Sequence, residues 1–344
     1  MLILGLETSC DETSAALLRS EKGRLKILSN VVSSQVKIHR RYKGIVPEVA
    51  ARLHLEKILP VIKEAIVEIK NLQKIDLIAV TFGPGLITSL LVGVEAAKTL
   101  SYLFKKPLIP INHLEGHIYA NFINEQSIRF PAVCLVVSGG HTELVLMKDL
   151  SQYQKLGSTR DDAAGECFDK VAKLLNLGYP GGPAIEKTAQ AFQRDSPFSL
   201  NLPRPMIGTH DFDFSFSGLK TAVLYKIKGM KIDKNFKEAL AYETQEAIID
   251  VLATKTARAS REFKAKSIIL SGGVAANERL RVMMKEKAEK SGKKLFVPPK
   301  NLCTDNAAMI AAAGYFRYNL LNKKQRINLL NNWRKIKVDP NLML

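Results

Sequence analysis

His113 and His117 stand four positions apart in Asn112-His113-Leu114-Glu115-Gly116-His117. On a helix that spacing places both imidazoles on one face, one turn apart, where they could share a divalent metal. Spacing alone makes no site, because histidine pairs of this kind more often bind nothing. A third ligand is required, and Asp305 in Cys303-Thr304-Asp305-Asn306, ahead of an apolar stretch, is the candidate. Two histidines and a carboxylate with open positions suit Fe(II), and zinc accepts the same set. The competing reading of Asp305 is a helix N-cap, a duty Thr304 could also perform. A metalloprotease reading of the pair fails on Glu115, which stands one position too late for His-Glu-x-x-His and leaves no general base.

A second stretch with chemical potential runs from Leu135 to Met147, where two β-rich arms flank Ser138, Gly139, Gly140 and His141. A Ser-Gly-Gly hairpin tip leaves backbone N–H groups open to a phosphate or adenylate, although a plain turn would look the same. The plan recurs. Leu2 to Leu18 reads as apolar strand, small polar turn and apolar strand, and Ser267 to Asn277 carries an apolar run into Gly272-Gly273 before a helix-like segment. Asp169, the backbone at Gly181 and Gly182, and Glu186 could surround a ribose, or they could be a surface charge and a helix-breaking loop. Asn277 could touch a base or sugar, or cap the helix that starts there.

Such repetition predicts a duplicated α/β unit, the two-lobed layout of the actin, sugar-kinase and heat-shock-chaperone ATPase superfamily. The expected first lobe is 1–125 with 308–344 and the second 126–307, with the ligand cleft and metal site between them. Val46-Pro47 opens an amphipathic helix running to about Lys70, and Leu77–Thr81 is a buried strand that turns through Gly83-Pro84-Gly85 into a helix ending at Phe104. That helix is apolar, but Glu95 and Lys98 interrupt it, so it reads as a buried helix rather than a membrane span. Leu108–Ile111 is a short strand delivering His113. His39 and His210 fall in expected loops, His54 on the Pro47 helix and His141 at the hairpin tip. Phe212 to Lys220 reads as an interlobe loop, and Trp333 as an anchor of the tail.

With 344 residues the chain is long for one core. Its 46% hydrophobic and 24% charged content excludes a disordered or fibrous class. Cys10, Cys134, Cys167 and Cys303 are scattered with no Cys-x-x-Cys pair, which fits a reducing cytoplasm. The N-terminus opens directly on a strand, so neither secretion nor import is expected. A net charge of +18 favours a polyanionic partner, and the segment from Arg317 to Lys337 holds seven basic residues and no acidic one. Lysine-rich genome composition is the competing source of that charge.

Taken in order, these segments resemble the tRNA adenosine threonylcarbamoyltransferase family. The resemblance rests on Glu7-Thr-Ser-Cys-Asp-Glu-Thr13, Val46-Pro-Glu-Val-Ala-Ala-Arg52, Gly83-Pro-Gly-Leu86, His113-Leu-Glu-Gly-His117, Ser138-Gly-Gly-His-Thr142, Asp161-Asp-Ala-Ala-Gly-Glu-Cys-Phe-Asp-Lys170, Gly178-Tyr-Pro-Gly-Gly-Pro183, Phe214-Ser-Phe-Ser-Gly-Leu-Lys220, Ser271-Gly-Gly-Val-Ala-Ala-Asn277 and Cys303-Thr-Asp-Asn306. The forms at Ser138 and Cys10 look bacterial or mitochondrial, and Cys167 stands where alanine is expected. The resemblance implies that His113, His117 and Asp305 ligate one divalent metal per subunit. It further implies that Val136, Val137, Ser138, Gly139 and Gly140 contact an adenylate or ATP-type ligand, together with Asp169, Gly182, Asn277 and Glu186.

It also implies an activity. The family moves the threonylcarbamoyl group from threonylcarbamoyl-adenylate, made by a separate synthase, to the exocyclic amine of the adenosine 3′ of the anticodon. The acceptors are tRNAs reading codons that begin with A. Bacterial relatives work with a catalytically dead paralogue and a small ATPase, and the mitochondrial relative as a homodimer; no membrane is involved. The structural runner-up is a kinase-like or chaperone-like ATPase, which the missing Asp-x-Gly-Thr in the first hairpin disfavours. A non-catalytic scaffold is a third class. No general base is identifiable.

Overall fold

The computed structural model describes residues 1–344 except 43, 70, 124–126, 193–199 and 231. In chain order the elements are β1 (Leu2–Glu7), β2 (Glu12–Glu21), β3 (Arg24–Ser34), α1 (Val36–Tyr42), α2 (Pro47–Ala65), β4 (Leu77–Gly83), α3 (Ile87–Phe104), β5 (Leu108–Asn112) and α4 (His113–Tyr119). They continue with β6 (Ala132–Val137), β7 (Thr142–Asp149), β8 (Gln152–Ser158), α5 (Ala164–Leu174), α6 (Gly181–Gln190), α7 (Ser217–Ile227), α8 (Lys234–Glu262) and β9 (Ser267–Ser271). The last are α9 (Glu278–Lys290), β10 (Lys294–Phe296), α10 (Ala307–Leu320) and α11 (Lys323–Asn328).

These elements form two compact units, Met1–Ser127 with Asn301–Leu344, and Ile128–Lys300. Each holds one five-stranded sheet, ordered β3-β2-β1-β4-β5 in the first and β10-β9-β6-β7-β8 in the second. In both, an antiparallel three-strand meander pairs its first strand in parallel with later strands, β1 with β4 and β6 with β9. The expected duplication is therefore present in topology. The strands of each first hairpin, Ile3–Leu6 and Ala132–Val137, are buried apolar runs, as strands covered on both faces must be.

Boundaries differ from the expectation. The first, at 125/126, falls outside the described residues; the second lies at Lys300/Asn301 rather than after residue 307. The reason is packing. The Ala307 N–H donates to Ser14 Oγ at 2.9 Å, and the alanine-rich face of α10 is buried against β1 and β2. His113, His117 and Asp305 all belong to the first unit.

Three further expectations change. α2 ends at Ala65, and Lys70 lies outside the described residues. The apolar helix α3 is long and apolar enough to cross a membrane, yet buries Leu90, Val94 and Ala97 on one face and exposes Ile87, Leu91, Tyr102 and Leu103 elsewhere. His39 is not in a loop: it is buried on α1, its Nε2 paired with Gln35 Oε1 at 3.1 Å.

Phe212 to Lys220, expected as an interlobe loop, lies within the second unit. The Asp161 carboxylate collects it, accepting from Ser215 Oγ at 2.6 Å, Phe216 N–H at 2.8 Å and Ser217 Oγ at 2.7 Å. Behind it the fully buried Lys255 on α8 donates to Thr209 Oγ1 at 2.9 Å and to the Asp213 carbonyl, with Asp211 Oδ1 at 3.4 Å. Burial pushes this ammonium below the usual lysine range. Lys255→Met removes the donor and leaves the Asp213 carbonyl unmet, while Thr209 and Asp211 keep each other, so urea unfolding is expected to register a loss of about 2–3 kcal/mol. An unchanged midpoint would show that the lysine holds nothing.

Candidate active site

β5 ends on Asn112, whose Oδ1 caps α4 by accepting the Leu114 N–H at 2.8 Å and the Glu115 N–H at 3.4 Å. The cap starts the helix at His113 and so brings His117 round beside it, with ring centroids 4.7 Å apart at 78°. Neither Asp305 nor Thr304 caps α10. That duty falls to Asn306, whose Oδ1 accepts the Met309 N–H at 3.1 Å. The Asp305 carboxylate instead lies 3.2 Å from His117 Nε2 and 3.5 Å from His113 Nε2, and the three candidate ligand atoms fall within 4.8 Å of one another.

The donor set fits a metal ion. Both ring nitrogens of the buried His117 lack a hydrogen-bond partner, the 3.2 Å approach to Asp305 having the distance but not the geometry of a hydrogen bond. Leaving a buried polar atom unmet costs about 1–3 kcal/mol, which coordination at Nε2 would offset. His113 is oriented from behind: its Nδ1 lies 3.1 Å from Glu7 Oε2 and 3.1 Å from Ser9 Oγ. Glu7 is itself fixed by the Ser9 N–H and the Thr81 hydroxyl, each at 2.5 Å. A carboxylate behind a histidine sets its tautomer and aims the other nitrogen at the metal.

Glu7 joins the cluster without belonging to the histidine spacing or the glycine turns, although an acid ending an otherwise apolar buried strand is a signal. Glu7→Gln keeps the shape and weakens the charge, so metal affinity or turnover is expected to fall about 10–100-fold. Metal content per chain after dialysis reads this directly, and full occupancy would contradict it.

Charge on the cluster is linked to pH. Burial works against the His113 imidazolium, but the charges of Asp305 and Glu7 and the Glu7 hydrogen bond outweigh it and raise its pKa to about 9. Burial likewise opposes ionisation of Glu7, and the His113 charge overcomes this and holds the carboxyl low. His117 is pushed down by burial and stays neutral. A metal must therefore displace a proton from His113 below that pKa, and its affinity is expected to rise about tenfold per pH unit across the neutral range. Calorimetric titration in buffers of different ionisation heat counts the proton; a pH-independent affinity would refute the linkage.

Glu115 takes no part. Buried on α4, it faces Arg317 Nη1 of α10 at 3.5 Å and ties the two helices together.

The second unit gathers the glycine-rich segments. The Ser138 N–H donates to the His141 carbonyl at 2.8 Å and Ser138 Oγ accepts the His141 N–H at 3.1 Å, closing the hairpin tip with Gly139 and Gly140 exposed. The start of α5 rests on this tip: the Gly165 N–H donates to the Ser138 carbonyl at 3.2 Å, and a Cβ there would lie 2.4 Å from that oxygen. One turn on, Asp169 Oδ1 accepts the Gly181 N–H at 2.6 Å, which sets Gly182 in open space at the start of α6. Glu186 Oε1 accepts the Glu278 N–H at 2.8 Å, joining α6 to the start of α9. Asn277 caps α9 through the Leu280 N–H at 2.9 Å and donates to Gln245 Oε1 at 2.9 Å, so the capping reading is the one its side chain follows. Val136 and Val137 are buried strand residues leading into the tip. These contacts link hairpin tip, α5, α6 and α9 into one wall presenting backbone N–H groups at Gly139 and Gly140.

Two sheets of identical order, each opening on an antiparallel hairpin, define an actin-like ATPase fold. Solved structures agree. HypF in a phosphate- and nucleotide-bound form superposes with a TM-score of 0.62 over 93% of this chain and 46% of that one, at 14% identity. Component A of the Acidaminococcus fermentans (R)-2-hydroxyglutaryl-CoA dehydratase gives 0.54 over 92% and 98%, at 13% identity. Within that fold the chain belongs to the tRNA N6-adenosine threonylcarbamoyltransferase (TsaD) family, whose model matches residues 26–312. It is 52% identical to the tRNA N6-adenosine threonylcarbamoyltransferase of Thermosipho melanesiensis, over 92% of this chain and 94% of that protein. The protein of the same name from Dehalococcoides mccartyi is 53% identical, over 92% and 94%.

Proposed function

We infer that this protein transfers the threonylcarbamoyl group of threonylcarbamoyl-adenylate to the exocyclic amine of the adenosine 3′ of the anticodon, in tRNAs reading codons that begin with A. The observation that carries the reading is the cluster of buried His113 and His117 with half-buried Asp305, and Glu7 behind it, in a chain of this family. No observation among the described residues favours the kinase-like or chaperone-like alternative.

His113, His117 and Asp305 would hold one divalent ion, Fe(II) in preference to zinc given two imidazoles and a carboxylate. Bound there, the ion supplies a Lewis acid able to polarise a carbonyl or hold the threonyl group. Glu7 keeps His113 aimed through Nδ1. The open N–H groups of Gly139 and Gly140 suit the adenylate phosphate and would stabilise AMP as it leaves. Asp169 and Glu186 hold Gly182 and the head of α9 in place for the nucleoside. The acceptor amine attacks directly, so no covalent enzyme intermediate is needed. Four free thiols fit a reducing compartment, and we place the reaction in the cytoplasm. The donor comes from a separate synthase, and the helpers would be an inactive paralogue and a small ATPase unless the chain acts as a homodimer.

The test is nucleoside mass spectrometry of unmodified tRNA incubated with the purified chain and threonylcarbamoyl-adenylate, with and without those helpers. Threonylcarbamoyladenosine is expected. Its absence in every arm, with ATP turnover in its place, would overturn the reading.

A further inference from the structure

We propose that the basic C-terminal segment from Lys323 to Lys337 is a docking surface for the sugar-phosphate backbone of folded RNA, here the tRNA of the proposed reaction, on which this inference rests. The segment lies beyond the residues matched to the family model. Six of its fifteen residues are lysine or arginine, and the one acidic residue between Phe316 and the C-terminus is Asp339.

Most of this charge is free to act outward. Lys323, Lys324, Lys335 and Lys337 are exposed and in no ion pair among the described residues. Arg326 is turned back onto the Tyr318 ring and the carbonyls of Tyr318 and Asn319. Arg334 is exposed and stacks over the Trp333 ring at 5.0 Å.

The segment is also anchored, which a merely solvated tail is not. Ile336 is buried in the core of the first unit with Trp333 packed beside it, and the Trp333 ring meets Tyr102 of α3 edge-on at 4.9 Å. Asn332 Nδ2 donates to the Leu108 carbonyl at 3.0 Å, and the Asp339 N–H to the Phe82 carbonyl at 2.8 Å. Lys335 and Lys337 line an open depression of ≈ 470 Å³ with Asn332 and Asp339. Tyr102 is 61% exposed, and Lys105 lies on the same helix end. Unpaired cations exposed on an anchored segment suit a folded RNA, where phosphates are dense and each neutralised phosphate releases counterions.

The test uses the full chain and its variant K323Q/K324Q/K335Q/K337Q, with fluorescently labelled tRNA titrated over a range of salt. The variant is expected to bind tRNA about ten- to thirtyfold more weakly near 0.1 M salt, with the slope of log affinity against log salt smaller by roughly three. Its KM for tRNA should rise with kcat and donor binding unchanged. K323E/K324E, confined to α11, gives the same readout should the fourfold variant fail to fold. An unchanged slope, absence of tRNA binding by the intact chain, or transfer of the effect to anionic lipid vesicles alone overturns the proposal. Wild-type chain that binds tRNA through these lysines but never modifies it would retain the docking surface and overturn the reaction instead.

Discussion

His117→Ala is expected to abolish threonylcarbamoyl transfer while leaving the fold intact. The imidazole is fully buried, yet neither of its nitrogens makes a hydrogen bond of good geometry, and Asp305, 3.2 Å away, keeps His113 at 3.5 Å when His117 is lost. On the function proposed above, the substitution removes one of three ligands, and with it the transition-state charge stabilisation the ion would supply, several kcal/mol or about a thousandfold in rate. His113→Ala is the instructive contrast. It too loses a ligand, but it also leaves the Glu7 carboxylate buried without its cationic partner, which costs about 3–5 kcal/mol of stability. Metal analysis, thermal unfolding and nucleoside mass spectrometry on both variants separate the effects. A His117→Ala protein that still modifies tRNA at the wild-type rate would remove the metal centre from the mechanism.

The second large effect is expected at Gly272. Its φ of +90° and ψ of 169° lie in a region essentially restricted to glycine, and a Cβ there would fall 2.3 Å from the Val137 carbonyl oxygen, backbone that cannot swing aside. Val137 is the last residue of β6 before the hairpin tip, so relieving the overlap displaces Ser138 and its neighbours. Gly272→Ala is expected to lose about 3 kcal/mol or more from conformational strain and forced backbone shift together, and to weaken adenylate binding. Gly273→Ala is the control: nothing lies within 4 Å of a Cβ there, and its φ is not positive. If the two variants unfold at the same temperature, the contact between the third glycine turn and the hairpin does not matter.

Much of the architecture is legible in the sequence. Both hairpins, the strand into Gly272, the helix carrying His113 and His117 and the apolar helix after Asn306 lie where periodicity and turn residues place them. What escaped was the role of individual polar groups. Asp305 and Asn306 are adjacent and both are good capping residues; only the packing of α10 on β1 and β2 shows that Asn306 caps and Asp305 points at the histidines. Asn277 raised the same question and resolved the other way, as a cap. Glu7 looked like one polar residue in a turn motif until the fold set it against His113. The lobe boundary shifted for the reason that moved Asp305, because burial of Ala307 and its neighbours decides to which sheet that segment belongs.

By itself, then, the chain's sequence determined the duplicated strand–turn–strand plan, the one-turn spacing of the two histidines and a basic surplus suited to RNA. Those are properties of neighbouring residues, set by backbone geometry, turn chemistry and composition. The packed structure alone shows that Glu7 supports the cluster from behind, that Asn306 rather than Asp305 caps α10, and that Asn277 is a cap as well. Those roles depend on groups far apart in the chain being buried together, where an unpaired charge or orphaned nitrogen costs kilocalories and so selects a partner.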